Sequence, residues 1–169
     1  DGAVANVGAV RLYTSAGVLV STLTGSTAED RVGGSGIKVL ANGHYVVISQ
    51  SWSDGVSPLV GAVTWCDSDT GIDGVVSASN SVVGSTAGDG ILIRVVPLTN
   101  GKYVVACHYW DRGAIVDAGM ARLCSGTGLT TGAHSVLNAL VGVQANDEIG
   151  YDDPVALTNG NYVVISPRW

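Results

Sequence analysis

Three stretches of the chain carry the same order of polar and apolar positions: Leu40-Ala-Asn-Gly-His-Tyr-Val-Val-Ile-Ser-Gln-Ser-Trp52, Leu98-Thr-Asn-Gly-Lys-Tyr-Val-Val-Ala-Cys-His-Tyr-Trp110 and Leu157-Thr-Asn-Gly-Asn-Tyr-Val-Val-Ile-Ser-Pro-Arg-Trp169. The run Tyr-Val-Val-Ile, or Tyr-Val-Val-Ala, has no polar alternation. It predicts a short strand buried on both faces, as happens when sheets stack face to face. The Asn-Gly pairs ahead of it predict three hairpins with two-residue type I′ turns, since both residues tolerate positive φ.

A third strand is predicted at Gly61–Cys66 and at Ala118–Cys124. There Val63 and Trp65 point one way and Ala62, Thr64 and Cys66 the other. Arg11 and Arg122 occupy the place of Thr64, which predicts one partly wet face. A fourth strand falls around Ser81–Ser85, next to the phrase Val83-Gly-Ser-Thr-Ala-Gly-Asp89. That phrase is matched by Thr24-Gly-Ser-Thr-Ala-Glu-Asp30 and Val141-Gly-Val-Gln-Ala-Asn-Asp147. A helix over 133–140 suits its own composition but not that of its counterpart 76–83, which is rich in Ser, Asn and Val.

The phrases define a repeat. Trp52, Trp110 and Trp169 are 58 and 59 positions apart, and Gly8, Gly61 and Gly119 are 53 and 58 apart. The chain therefore reads as one repeat domain, residues 1–169, with units 1–52, 53–110 and 111–169. It starts at a third strand and stops after a second, so the half-units at its two ends are complementary.

A four-stranded unit of this size predicts an all-β fold of β-propeller blades, as half of a six-bladed ring or part of a larger propeller. A β-trefoil or β-prism monomer is the alternative, because each also closes with three units. In the propeller reading the half-blades meet by strand exchange in a homodimer, or by contact with flanking repeats.

Composition agrees with many short strands and tight turns: 24 glycines, no Phe, one Met and 46% hydrophobic residues. A net charge of −6, with Lys38 and Lys102 as the only lysines, argues against nucleic acid and anionic membranes as partners. No apolar run approaches the roughly 18–20 residues of a membrane span, so no membrane insertion is expected. The start is not signal-like, and the chain reads as a processed piece or an excised fragment. Cys66, Cys107 and Cys124 lack zinc spacing, and antiparallel pairing sets Cys107 opposite about Gly119 and Cys124 opposite about Lys102, which disfavours a disulfide. They are expected to be buried free thiols.

One family is similar in the order of its motifs. The sequence Asn-Gly-Asn-Tyr-Val-Val-Ile-Ser-Pro, the strands Ala-Gly-Met-Ala-Arg-Leu and Val-Gly-Ala-Val-Thr-Trp, and the phrases Asp147-Glu-Ile-Gly150 and Asp30-Arg-Val-Gly33 resemble the FG-GAP repeats of integrin-type β-propellers. They resemble even more the short propeller-type repeats of large bacterial surface and adhesin-like proteins. The resemblance implies a propeller and an extracellular or cell-surface location, to which the Asn/Thr/Ser/Gly-rich, lysine-poor surface also leans. Two departures stand out: a bare Asn-Gly turn replaces the family's calcium loop, and Asp89-Gly-Ile-Leu92 lacks the final glycine.

Among candidate chemistries, the repeated tryptophans lead. Trp52, Trp110 and Trp169, near Asp54, Asp111 and Asp1, could each offer a sugar an aromatic face with a carboxylate beside it. Several weak sites would add avidity. The expectation is a non-catalytic, lectin-like recognition module for glycans or glycoproteins; the competing readings are Trp as a wedge between units and a purely structural adhesin repeat. Asp67, Asp69 and Asp73 are spaced like the start of a calcium loop but lack its distal Glu, so a solvated turn is the alternative; no other cofactor is expected. His44, His108 and His134 fall at different places in the repeat and form no recurring site, and no triad or paired acids can be assembled, so no enzyme activity is expected.

Overall fold

The computed structural model describes residues 4–169. Among them there is no helix. The strands, in chain order, are β1 (Ala9–Tyr13), β2 (Leu19–Thr24), β3 (Ile37–Val39), β4 (Tyr45–Ser49), β5 (Ala62–Cys66), β6 (Gly74–Val75), β7 (Val82–Val83), β8 (Arg94–Pro97), β9 (Tyr103–Cys107), β10 (Met120–Cys124), β11 (Gly132–Ala133), β12 (Leu140–Val141), β13 (Val155–Ala156) and β14 (Tyr162–Val163).

The repeat builds two complete four-stranded antiparallel meanders, β3-β4-β5-β7 and β8-β9-β10-β12. Each draws its strands from two successive units. At one end of the chain β1 and β2 occupy the places of strands three and four of such a sheet. At the other, β13 and β14 occupy the places of strands one and two. Two further strands act as clips between sheets. The segment after each third strand reaches back to pair in parallel with the fourth strand of the sheet before it, β6 with β2 and β11 with β7.

The three Asn-Gly hairpins form, but with a different turn from the one expected. Gly43 N–H donates to Leu40 C=O and Leu40 N–H to His44 C=O, with the same pair of bonds at Leu98/Gly101/Lys102 and Leu157/Gly160/Asn161. Gly43, Gly101 and Gly160 take positive φ, whereas Asn42, Asn100 and Asn159 do not. This is a type I turn followed by a left-handed glycine bulge. The asparagines serve through their side chains instead. Asn100 and Asn159 accept the N–H two residues on, at 3.0 Å each, while Asn42 and Asn100 donate to the carbonyls of Gly126 and Gly160. Each turn is thereby tied to a neighbouring sheet. The 133–140 segment is a turn in which Asn138 accepts from Ser135 N–H and donates to Ala133 C=O, as Asn80 does with Ser77 and Val75.

The double burial that the missing alternation predicts holds in β4 and β9 but not in β14, where Val163 is exposed. Val46 and Ile48 of β4 face one cluster, which they share with Tyr103, Val105 and Cys107 of β9. Val47 faces another, shared with Leu23, Val32 and Trp52, against which Val10 packs. Val104 and Ala106 face a third, against which Ala156, Tyr162 and Val164 pack. The sheets therefore stack face to face, with every core shared by two of them. The third strand is partly wet in the complete sheets, but on the face of Trp65 and Leu123 and not at the expected place of Thr64 and Arg122. Thr64 is buried because its hydroxyl bonds Ser81 at 2.7 Å, and Arg122 because it donates to the carbonyls of Thr131, Gly132 and Ala133. Of the three residues at this place, Arg11, on the unpaired edge of β1, is the wet one.

Candidate functional site

Trp52 and Trp110 lie three residues past the ends of the central strands and turn inward. They are 4% and 3% exposed and lie within the clusters that join neighbouring sheets. Each closes the excursion that follows it, 53–60 or 111–118, by accepting, on its carbonyl, the N–H of Gly61 or Gly119. Trp110 Nε1 donates to Ser85 Oγ at 3.0 Å. Neither ring offers a face to a sugar, so the expected stacking site is corrected to a wedge between sheets. Apolar burial of an indole ring outweighs what it would gain at the surface. Trp169, 74% exposed, alone keeps an open ring. Asp1 lies outside the described residues.

The carboxylates proposed beside the tryptophans do different work. Asp54 is exposed, and its Oδ1 accepts the N–H of Val56 and Ser57 at 2.8 and 2.6 Å, which lowers its pKa. Asp111 accepts the N–H of Asp117 at 2.9 Å and the Thr86 hydroxyl at 3.4 Å. Both hold their own loops in shape. Asp117 has its pKa raised by burial, then by the nearby Asp111 and Glu148 carboxylates.

The charged residues that the sequence reading passed over are Asp30, Asp89 and Asp147, the last residue of the Gly-x-x-Ala-x-Asp phrase in all three copies. All are buried. One oxygen of each accepts two backbone N–H groups of its own turn: Ser26 and Thr27, Ser85 and Thr86, Val143 and Gln144, at 2.6–2.9 Å. In two copies the other oxygen accepts the N–H of the residue after the tryptophan, Ser53 at 3.0 Å and Asp111 at 3.1 Å. A buried carboxylate thus fastens the turn after one sheet to the loop leaving the central strand of the next. The turn glycine is fixed by the same closeness, since a Cβ on Gly84 would lie 2.3 Å from Val60 O and 2.5 Å from Asp89 Cβ. The signal was in the sequence: this is the one carboxylate at the same place in every copy.

Beside each completed clamp is a cleft. One, of about 380 Å³, lies among Thr27, Ala28, Glu29, Ser51, Ser53 and Leu59. Its repeat counterpart, of about 360 Å³, lies among Ala87, Gly88, Tyr109, Asp111, Val116 and Asp117. The position recurs while the lining changes, from Ser51, Ser53, Glu29 and Arg31 in the first to an aromatic ring and two acids in the second.

The remaining candidates are engaged structurally. Asp67 accepts the N–H of Asp69 and Thr70, and Asp73 that of Thr22 at 2.6 Å, so two of the three acids of the calcium reading are spent on backbone. No cluster of three metal-ligating side chains forms among the described residues. His44 Nδ1 accepts from Ser68 N–H. His108 lies 2.8 Å from an Arg94 nitrogen, and burial, with Arg94 beside it, lowers its pKa. His134 is buried with Nδ1 unpartnered, and burial depresses its pKa to about 3. The three cysteines are free and buried, their thiols pushed up to about 12 by that burial. Cys107 stands opposite Met120 and Cys124 opposite Tyr103, one residue from the expected pairing and at opposite ends of the strand pair.

A family model described as a repeat of unknown function, DUF5650, matches residues 39–92, 97–151 and 156–169. The chain belongs to the DUF5650 repeat family. The two longer DUF5650 matches each cover the central, third and fourth strands of one meander and the clamp turn after them; the third covers the last hairpin through Trp169. The match supports the repeat and does not extend to the FG-GAP resemblance. No curated protein and no solved structure matches the chain significantly.

Proposed function

We propose that this chain is a non-catalytic structural module of a β-propeller, in a repeat protein of the cell surface or secreted space, and that its sheets are the blades. The observation that carries the blade reading is which strands of different sheets come closest. β3 lies against β8 and β8 against β13, all three being first strands. The Asn-Gly turns gather on that side, with Asn42 against Gly101 and Asn100 against Gly160. Fourth strands are linked to the next sheet through the added clips β6 and β11. Sheets that converge along their first strands and need spacers along their fourth are sheets fanned about an axis, the relation of blades in a ring. The structural role follows from Trp52, Trp110 and the three clamp aspartates, the most regular features of the repeat, all of which are turned inward.

Glycan recognition is the second reading, and the cleft beside Asp111 favours it. There Tyr109 supplies a ring and Asp111 and Asp117 supply acceptors, the combination a sugar needs. A glycan array probed with the wild-type chain and with Tyr109→Ala separates the two readings. The structural reading expects no glycan signal from either protein. Binding by the wild type that disappears in Tyr109→Ala would overturn it in favour of recognition.

A further inference from the structure

The two clips follow the same path but are fastened differently. In each, the residue after the clip donates its backbone N–H to the preceding sheet, Val76 to Thr24 C=O at 3.0 Å and His134 to Val83 C=O at 3.1 Å. Both side chains are turned inward, 3% and 6% exposed. Valine is at home there. The imidazole is not, because its Nδ1 is buried without a partner. Clip β11 also has a fastening that β6 lacks. Arg122 of β10 donates to the carbonyls of Thr131, Gly132 and Ala133 at 3.1, 3.1 and 3.4 Å, whereas Thr64, at the same place in β5, bonds Ser81.

A neutral ring can leave Nδ1 bare of hydrogen. A protonated ring carries an N–H there with no acceptor, and it buries a second positive charge near Arg122. Nothing close by in the sequence takes that charge. The strands β5, β7 and β10, the loops 76–81 and 125–131 and the turn 135–138 contain no carboxylate; their titratable side chains are Arg122 and the thiols of Cys66 and Cys124. The clip itself is two residues long and pairs with two residues of β7. Swinging it out gives the ring to water without disturbing the ladder of either complete sheet. We propose that protonation of His134 releases the clip β11 from β7 while both complete sheets stay folded, so that acid loosens the strap between them. This does not draw on the blade reading. It makes the second junction acid-sensitive and leaves the first, with Val76 in the same place, indifferent.

The test is hydrogen exchange of the Gly132 and His134 amides between pH 7 and pH 5, with each rate divided by its intrinsic rate. Gly132 N–H is held by Ala78 and Ser81 C=O and reports the same opening. The opening constant should rise about 25-fold over that range, since a ring in water titrates near its ordinary pKa of about 6.5. The amide of Val76 and those of β4 and β9 should not change. His134→Val, which puts the residue of the first clip into the second, should abolish the rise. An equal rise at Val76, β4 and β9 would mean that acid opens the whole fold, and a rise that persists in His134→Val would place the titrating group elsewhere; either overturns the proposal, as does no rise at all. A ring titration followed by proton NMR checks the wild type without any variant. A His134 ring that titrates near 6.5 while the clip amides stay protected would show that the closed clip accepts the charge, and would overturn the release.

Discussion

Leu92 sits at φ 56°, where the other two copies of the phrase place Gly33 and Gly150 at 78° and 76°. A left-handed L-residue costs about 1–2 kcal/mol, and the half-exposed Leu92 side chain returns little of it by packing. Leu92→Gly should therefore stabilise the protein by about 0.5–1 kcal/mol after the entropy cost of glycine, raising Tm by about 2 °C in a thermal melt. The clamp carboxylate makes the opposite prediction. Asp89→Asn turns one of its acceptor oxygens into a donor facing backbone N–H groups, and should destabilise by about 2–3 kcal/mol in a urea titration. Asp54→Asn, which changes the same kind of bonds on an exposed loop, should cost under about 0.5 kcal/mol. Equal losses from the two variants would mean that burial of the clamp is not what matters.

At the scale of elements, what could be read in the sequence divides by whether a strand's own residues decide it. The central strands were legible because Tyr-Val-Val-Ile can hide from water only if both faces are covered. The turns were legible as hairpins but not in type, since Asn-Gly suits both a two-residue loop and a glycine bulge, and contacts with the neighbouring unit decide between them. The clips were not legible at all: Gly74–Val75 and Gly132–Ala133 carry no strand pattern and are held by the backbone of the preceding sheet. Trp52 and Trp110 marked an important place, yet exposure and burial were equally compatible with their spacing.

The clip β11 also carries a pH dependence. His134 follows it directly, and its backbone N–H donates to Val83 C=O at 3.1 Å. Its folded pKa, about 3, lies below the ordinary value of 6.5, so the fold favours the neutral ring. That stability is fully present above pH 6.5 and is lost as pH falls towards 3, at up to about 1.4 kcal/mol per pH unit for this one group. Urea midpoints measured between pH 7 and 4 should fall with acid, and His134→Gln should flatten the decline. An unchanged slope in the variant would place the acid sensitivity elsewhere.

For the whole molecule, the decisive relation is that no sheet owns its core. Each cluster joins two sheets, so a unit alone would expose both faces of its central strand, and stability is a property of neighbours. The clamp aspartates, the tryptophan wedges and the Asn-Gly turns all cross the same junctions. Length and composition showed that a core was affordable, but not that it would be divided among interfaces. The three-fold phrase carried that information, because an apolar strand that repeats must meet its own copies.

The sharing of cores also orders the protein in time. Opening an end sheet disrupts one cluster, whereas opening an inner sheet disrupts two, so amide hydrogens should not exchange with solvent uniformly. Protection should be highest in β4 and β9, intermediate in β2, and lowest in β13 and β14, where exchange proceeds by peeling from the end. A hydrogen-exchange map of the single chain would then show a gradient running outward from its middle, steepest across the junction that Asp147 fastens by fewer bonds than its two counterparts.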